Sequence, residues 1–305
     1  MRHVLQIVLA MAILGAGVRA EENASVEAYY PEGPLRWGDT LYFAEMHKDR
    51  VVSLTNEVPD TFYQHDGCGP TAIATYADGF VVLCHLPNEL HQISASGAFA
   101  DKFDRDESGA AFRNPNDASS DDAGGVYFTA SGVFSLNAPR EGALLYLAKD
   151  GKITRLASNL HYANGVYFDA AQQAVFLSEH FAQRVLRFPV VAPGELGPPE
   201  VFANLPVASL GKTVPYERAG PDGLETDADG NLYVAYYGAG LVLALSPEGE
   251  MTGRVDINEM LTTNVTLSAD ENSLFVTGSR ISSRKPFPGM VRTMNNPLAK
   301  RDIER

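Results

Sequence analysis

The chain has 305 residues and carries 38 acidic against 24 basic side chains, a formal charge of −14 at pH 7. That balance argues against nucleic acid and anionic membrane as partners and is compatible with a bound cation. No Gly/Ser-rich or Pro-rich linker divides the sequence, which leaves room for one large domain.

Residues 1–20 read as a secretory signal. Arg2 and His3 open it, residues 4–18 are apolar apart from Gln6, and Val18-Arg19-Ala20 offers small residues at the two positions a signal peptidase reads. The apolar run falls short of the ~20 residues that span a bilayer. Export with cleavage after Ala20 is therefore expected, to a periplasmic or secreted location. Cleavage removes two arginines and no acid, leaving 285 residues with a charge of −16.

Six short hydrophobic triplets follow: Leu41-Tyr42-Phe43, Val81-Val82-Leu83, Val126-Tyr127-Phe128, Val175-Phe176-Leu177, Leu232-Tyr233-Val234 and Leu274-Phe275-Val276. They begin 40, 45, 49, 57 and 42 residues apart, and most sit just after an acidic or glycine-bearing turn such as Asp78-Gly79 or Asp229-Gly230-Asn231. A repeat of that length holds four short strands and their turns, one propeller blade. The spacing predicts an all-β, six-bladed β-propeller over residues 21–294, with a polar tail over 295–305. The strand-like segment 24–30 is expected to pair with the last blade and close the ring, since an open ring would leave sticky edges. Residues 133–142 and 192–216 read as longer loops over one face.

The two cysteines, Cys68 and Cys84, flank the second hairpin. A turn at Asp78-Gly79 sets Cys84 opposite Ile73, about five residues from Cys68 at ~3.3 Å per residue. A disulfide then requires the loop 66–70 to fold back; otherwise two buried thiols are expected.

Inner strands of a propeller point their ends at a central channel, so residues at their entries converge. In four blades these entries are Pro31-Glu32-Gly33-Pro34, Asn114-Pro115-Asn116-Asp117, Tyr162-Ala163-Asn164-Gly165 and Gly220-Pro221-Asp222-Gly223. Thr71 and Asn264 belong to the entries of the other two. Glu32, Asn116, Asn164 and Asp222 are oxygen donors, the preference of a hard divalent cation such as Ca²⁺. Alone, each is an ordinary turn residue. Their recurrence at one point of four repeats is what suggests a site.

The chain resembles the senescence-marker-protein/gluconolactonase (regucalcin-like) family. The resemblance rests on Glu32-Gly33-Pro34-Leu35-Arg36-Trp37, Asn114-Pro115-Asn116-Asp117, Ala163-Asn164-Gly165-Val166 and Gly220-Pro221-Asp222-Gly223, in that order at blade spacing. It implies a catalytic divalent cation (Ca²⁺, or Zn²⁺ or Mn²⁺) held by Glu32, Asn164 and Asp222, with Asn116 beside it. It also implies lactone or ester hydrolysis, with Asp222 taking the proton of the attacking water and Asn116 donating to the developing oxyanion. Three positions depart from the family pattern, among them Ala130, where many bacterial relatives carry an aspartate. Asn114 replaces its third-blade arginine and Thr71 its second-blade asparagine, which moves the expected substrate away from gluconolactone itself. The expected substrate contacts are Thr71, Asn114, Asn116 and His161.

Other loop residues draw attention without a motif. His65 and His180 are read as ordinary loop histidines, Glu179 and Arg184 as an ion pair within a blade, and Lys212, Tyr216, Glu217 and Arg218 as a lid or a solvated loop. No Gly-x-Ser-x-Gly elbow, phosphate-binding Gly-rich loop or His-Glu-x-x-His helix occurs, which removes serine-hydrolase and zinc-protease readings. A non-catalytic propeller with a structural cation, or an organophosphatase or strictosidine-synthase-like enzyme, stays open beside the hydrolase.

Overall fold

Six antiparallel sheets are arranged as a β-propeller in the computed structural model, and among the described residues helix is confined to short 3₁₀ turns such as Met46–Lys48 and Val207–Leu210. The structure describes residues 21–299 apart from 213, 215–217, 258–260, 281–284 and 286. The expected signal segment and the end of the tail lie outside the described residues. No helix among the described residues is long and apolar enough to cross a membrane.

Each blade runs from an inner strand at the channel to an outer edge. The inner strands are Pro31–Trp37, Pro70–Tyr76, Pro115–Ser120, Ala163–Asp169, Gly220–Thr226 and Leu261–Leu267. The apolar triplets form the second strand of each sheet, and Val81, Val126, Phe128, Val175, Leu232 and Leu274 are fully buried. They read as continuous apolar runs because neighbouring blades cover both faces of each sheet. The core is accordingly divided among the blade interfaces. One cluster, for example, joins Ala72, Val81 and Leu83 of blade two to Val126, Phe128 and Leu145 of blade three.

The acidic turn signals have a specific cause. Asp121 Oδ1 accepts from the backbone of Ala123 and Gly125, Asp227 Oδ1 from Asp229 and Asn231, and Asp270 Oδ1 from Asn272. An aspartate that bonds the backbone two residues on fixes the tight connection between the first and second strands.

Closure follows the expected route. The strand Glu22–Tyr29 pairs antiparallel with Pro288–Asn295 as the outer strand of the sixth sheet. Glu22 and Arg292 form an ion pair across that seam.

Two expectations are corrected. Cys68 and Cys84 form a disulfide with a Cα–Cα distance of 4.5 Å. The register places Cys84 opposite Pro70 rather than Ile73, with a bulge between Pro70 and Ala72. The loop folds back as a turn: Cys68 N donates to His65 O, and Leu86 N to Cys68 O. The second correction concerns 192–216, which is not one loop. Its stretch Glu200–Asn204 pairs with Arg184–Ala192 and supplies the outer strand of blade four, covering an edge that three strands would leave open.

Candidate active site

Every inner strand carries a register irregularity near its entry: between Glu32 and Leu35, Pro70 and Ala72, Pro115 and Ala118, Ala163 and Val166, Pro221 and Leu224, and Thr262 and Asn264. A bulge bends the strand and re-aims its side chains. Repeated around the ring, it brings Glu32, Thr71, Asn116, Asn164 and Asp222 into the lining of a single cavity of about 740 Å³.

Hydroxyl groups lock these entries from the side. Thr71 Oγ1 donates to Pro115 O (3.1 Å), Thr129 Oγ1 to Asn164 O (2.6 Å), Ser178 Oγ to Asp222 O (2.7 Å) and Thr263 Oγ1 to Pro31 O (2.8 Å). In each case one blade holds the backbone of the next at a residue of the site or beside one.

Glycine follows three of the site residues because the neighbouring blade leaves no space for a Cβ. At Gly165 a Cβ would lie 2.1 Å from Asp222 O, and at Gly33, where φ is +43°, 2.4 Å from Thr71 O. Gly165→Ala is expected to cost about 3 kcal/mol through this backbone clash, lowering the melting temperature by roughly 6–12 °C. A melting curve superimposable on the parent would contradict that packing.

Asp117, next to Asn116, joins the carboxylate cluster although the sequence reading gave it no role. Its Oδ2 accepts from Val166 N (3.1 Å) and its Oδ1 from Ala118 N (3.0 Å). Burial pushes its carboxyl up to about 7 against the pull of those donors. Burial also holds Glu32 well above the usual carboxylate range, with the Asp117 charge adding to it. Asp222 is raised by burial first, then by Glu32 and Asp117. Arg218 is the one arginine or lysine among the described lining residues. The Glu32 and Asp222 carboxylates, with so little positive compensation, and the Asn164 amide fit a hard divalent cation by their own chemistry, while Asp117 faces a neighbouring cavity of the channel.

Asn164 Nδ2 lies 3.4 Å from His180 Nδ1. Burial pushes that imidazole down to about 3, so it is neutral and can accept from the amide, leaving Oδ1 as the Asn164 atom available to a ligand.

Asn114 and His161 are not among the lining residues. Asn114 has a left-handed backbone (φ 54°), and its Nδ2 turns to His85 O at 3.4 Å. His161 Nε2 donates to Leu136 O at 3.0 Å, while its backbone N–H donates to Glu179. Each supports a lining residue rather than touching the cavity, which corrects their expected substrate contacts. Glu179 pairs with Arg184 at 2.6 Å inside the blade, as expected. Lys212 pairs with Asp256. Tyr216 and Glu217 lie outside the described residues.

Several lining residues were missed. Tyr30 and Tyr162 each immediately precede an inner strand with positive φ, a position readable from the repeat alignment. Phe134 and Leu136 come from the loop over residues 133–142, Phe287 and His85 from other loops, and Tyr237 from the end of the strand Leu232–Tyr237; none of them sits in a motif. Phe134 is 44 % exposed, and its ring centroid lies 4.9 Å from Tyr162, 5.1 Å from Phe181 and 5.9 Å from Tyr237.

Residues 30–280 match the model of the SMP-30/Gluconolactonase/LRE-like region. The lactonase drp35 of Staphylococcus haemolyticus is 28 % identical over 231 residues, covering 70 % of this chain and 65 % of its own, so the match spans slightly less than two thirds of that relative. A gluconolactonase from Xanthomonas campestris superposes with a TM-score of 0.70 at 21 % identity, over 87 % of this chain and 86 % of its own. Regucalcin from Agrobacterium tumefaciens, a calcium-binding protein, gives 0.63 at 18 %, over 89 % and 93 %. The repeat, the six-sheet ring and the match across residues 30–280 agree: this chain belongs to the SMP-30/gluconolactonase/LRE-like family.

Proposed function

We propose that the protein hydrolyses lactones or related esters in this cavity, using a divalent cation held by Glu32, Asn164 and Asp222. The observation that carries the reading is the convergence of buried, mutually repelling carboxylates and an amide at one wall of an open cavity. Such an arrangement costs stability unless a cation offsets it. The similarity to a lactonase and a gluconolactonase supports the same reaction class. A cation bound there would polarise the ester carbonyl and acidify water, each worth several kcal/mol in the transition state. Asn116, lining the same cavity, offers an amide N–H to the oxygen on which charge develops.

The other walls favour an apolar or aromatic acyl or alkoxy part over a polyhydroxylated sugar. Tyr30, Met46, Phe134, Leu136, Tyr237 and Phe287 line them. Burial keeps the Tyr30 and Tyr162 phenols protonated, with nearby carboxylates reinforcing this, so each can donate one hydrogen bond. The Cys68–Cys84 bridge supports a periplasmic or secreted location, since disulfides persist in oxidising compartments.

The test is a panel comprising gluconolactone, a benzo-fused δ-lactone and phenyl acetate, each assayed with Ca²⁺ and with chelator. Chelator-sensitive turnover of the aromatic compounds is expected. Ca²⁺ binding without turnover of any compound would leave a non-catalytic propeller. Phe134→Ala should raise KM for the benzo-fused lactone about tenfold by removing one aromatic face. Unchanged KM would place the substrate elsewhere in the cavity.

A further inference from the structure

We propose that His85 is the catalytic base, its Nε2 taking the proton of the attacking water and returning it to the leaving ring oxygen. This rests on the lactone-hydrolase reading. Asp222 is the base expected from the family resemblance; His85 is a second acceptor facing the same cavity.

His85 lines that cavity. Its Nδ1 lies 3.0 Å from Pro115 O, and a carbonyl oxygen only accepts, so Nδ1 carries the proton and Nε2 presents a lone pair. Nε2 has no hydrogen-bond partner among the described residues. It is also absent from the buried polar atoms left without one, so it reaches open space rather than being sealed in the protein. Burial shifts the ring below the ordinary histidine value against the opposing Pro115 hydrogen bond, which keeps Nε2 unprotonated at neutral pH. His85 takes part in no ion pair among the described residues.

The ring is positioned with unusual care for a loop residue. Cys84 precedes it and is bridged to Cys68, while His85 N donates to Gly69 O at 3.2 Å. Asn114 Nδ2 donates to His85 O at 3.4 Å. Pro115 O, which orients the imidazole, belongs to the residue before Asn116 and is also held by Thr71 Oγ1. The oxyanion donor and the base are thereby fixed to one short backbone segment.

The step balances without a co-reactant. Water oxygen bonds the carbonyl carbon as its proton moves to Nε2. The acyl C–O bond then breaks, and the same proton passes to the departing oxygen. The product is a hydroxy acid.

The experiment compares His85→Gln and His85→Ala with the parent in Ca²⁺, using the benzo-fused δ-lactone and phenyl acetate. Loss of about 100-fold in kcat is expected, with KM and calorimetric Ca²⁺ affinity unchanged and partial rescue of His85→Ala by added imidazole. In the parent, ¹⁵N NMR of the His85 ring should show the Nδ1–H tautomer. Full activity in His85→Gln, or an Nε2–H tautomer, would overturn the assignment. A fall in Ca²⁺ affinity would make the ring a ligand and also overturn it. A parent inactive on every compound would instead defeat the hydrolase reading. The NMR measurement stands even if the variants fail to fold.

Discussion

Asp222→Asn should lower lactone hydrolysis roughly 10³-fold, the upper end of what loss of one stabilising group costs, and should abolish tight Ca²⁺ binding. The fold is expected to survive. Asp222 sits on an inner strand whose backbone is held independently of its carboxylate, through Ser178 Oγ on Asp222 O. Removing the charge also removes its repulsion with Glu32 and Asp117, both of which raise the Asp222 pKa. In chelator the variant should therefore melt above the parent, by roughly 2–4 °C for each kcal/mol of repulsion relieved. Calorimetry with Ca²⁺ and melting curves with and without chelator check both halves. Unchanged Ca²⁺ affinity would dissociate Asp222 from the cation and sink the proposed site.

Chelation of the wild-type protein should produce the second large effect. Glu32, Asp117 and Asp222 all have folded pKa values above those of an unfolded chain, chiefly through burial, with Asp117 at about 7. The folded state then binds more protons than the unfolded state between about pH 4 and pH 7. Their contribution to stability is complete below the unfolded values and is lost as pH rises through the folded ones. Groups such as Asp106, depressed mainly by Ser108 and Arg155 against its desolvation, act in the opposite sense and limit stability in acid. The cation-free protein should accordingly lose melting temperature from pH 5 to pH 7.5. Ca²⁺ at 100 times its Kd should return about 2.7 kcal/mol, or roughly 5–10 °C, at the upper end of that range. Asp117 and Glu225, both raised by burial to about 7, line a separate cavity of the channel and should leave a slope that Ca²⁺ does not remove. Thermal scans at several pH values, with chelator and with Ca²⁺, decide the matter. Identical scans with and without Ca²⁺ at pH 7.5 would mean that no cation resides among these carboxylates.

The chain by itself determined the ring. Blades buried on both faces need continuous apolar strands, and tight hairpins need aspartate and glycine. The period of triplets and acidic turns therefore encodes the six sheets directly. Because inner-strand entries recur at one phase of that period, the sequence alone groups Glu32, Asn116, Asn164 and Asp222, which line one cavity. What the period does not encode is the direction of a neighbouring side chain once the strand bulges. Asn114 and Asp117 flank Asn116 within three residues, yet a left-handed backbone turns the first out to His85 O, and the displaced register brings the second into the carboxylate cluster. The Cys68–Cys84 bridge depended on local geometry as well, since the hairpin turns between Tyr76 and Gly79, setting Ile73 opposite Val82, and a bulge between Pro70 and Ala72 then sets Pro70 opposite Cys84. Phe134, Phe287 and His85 reach the cavity from loops, whose placement follows from packing against other blades and leaves no periodic trace. Repetition fixed the scaffold and its donors because both obey strand geometry. The walls and the proposed base were decided only when the blades closed around a common axis, where distance in sequence no longer predicts distance in space.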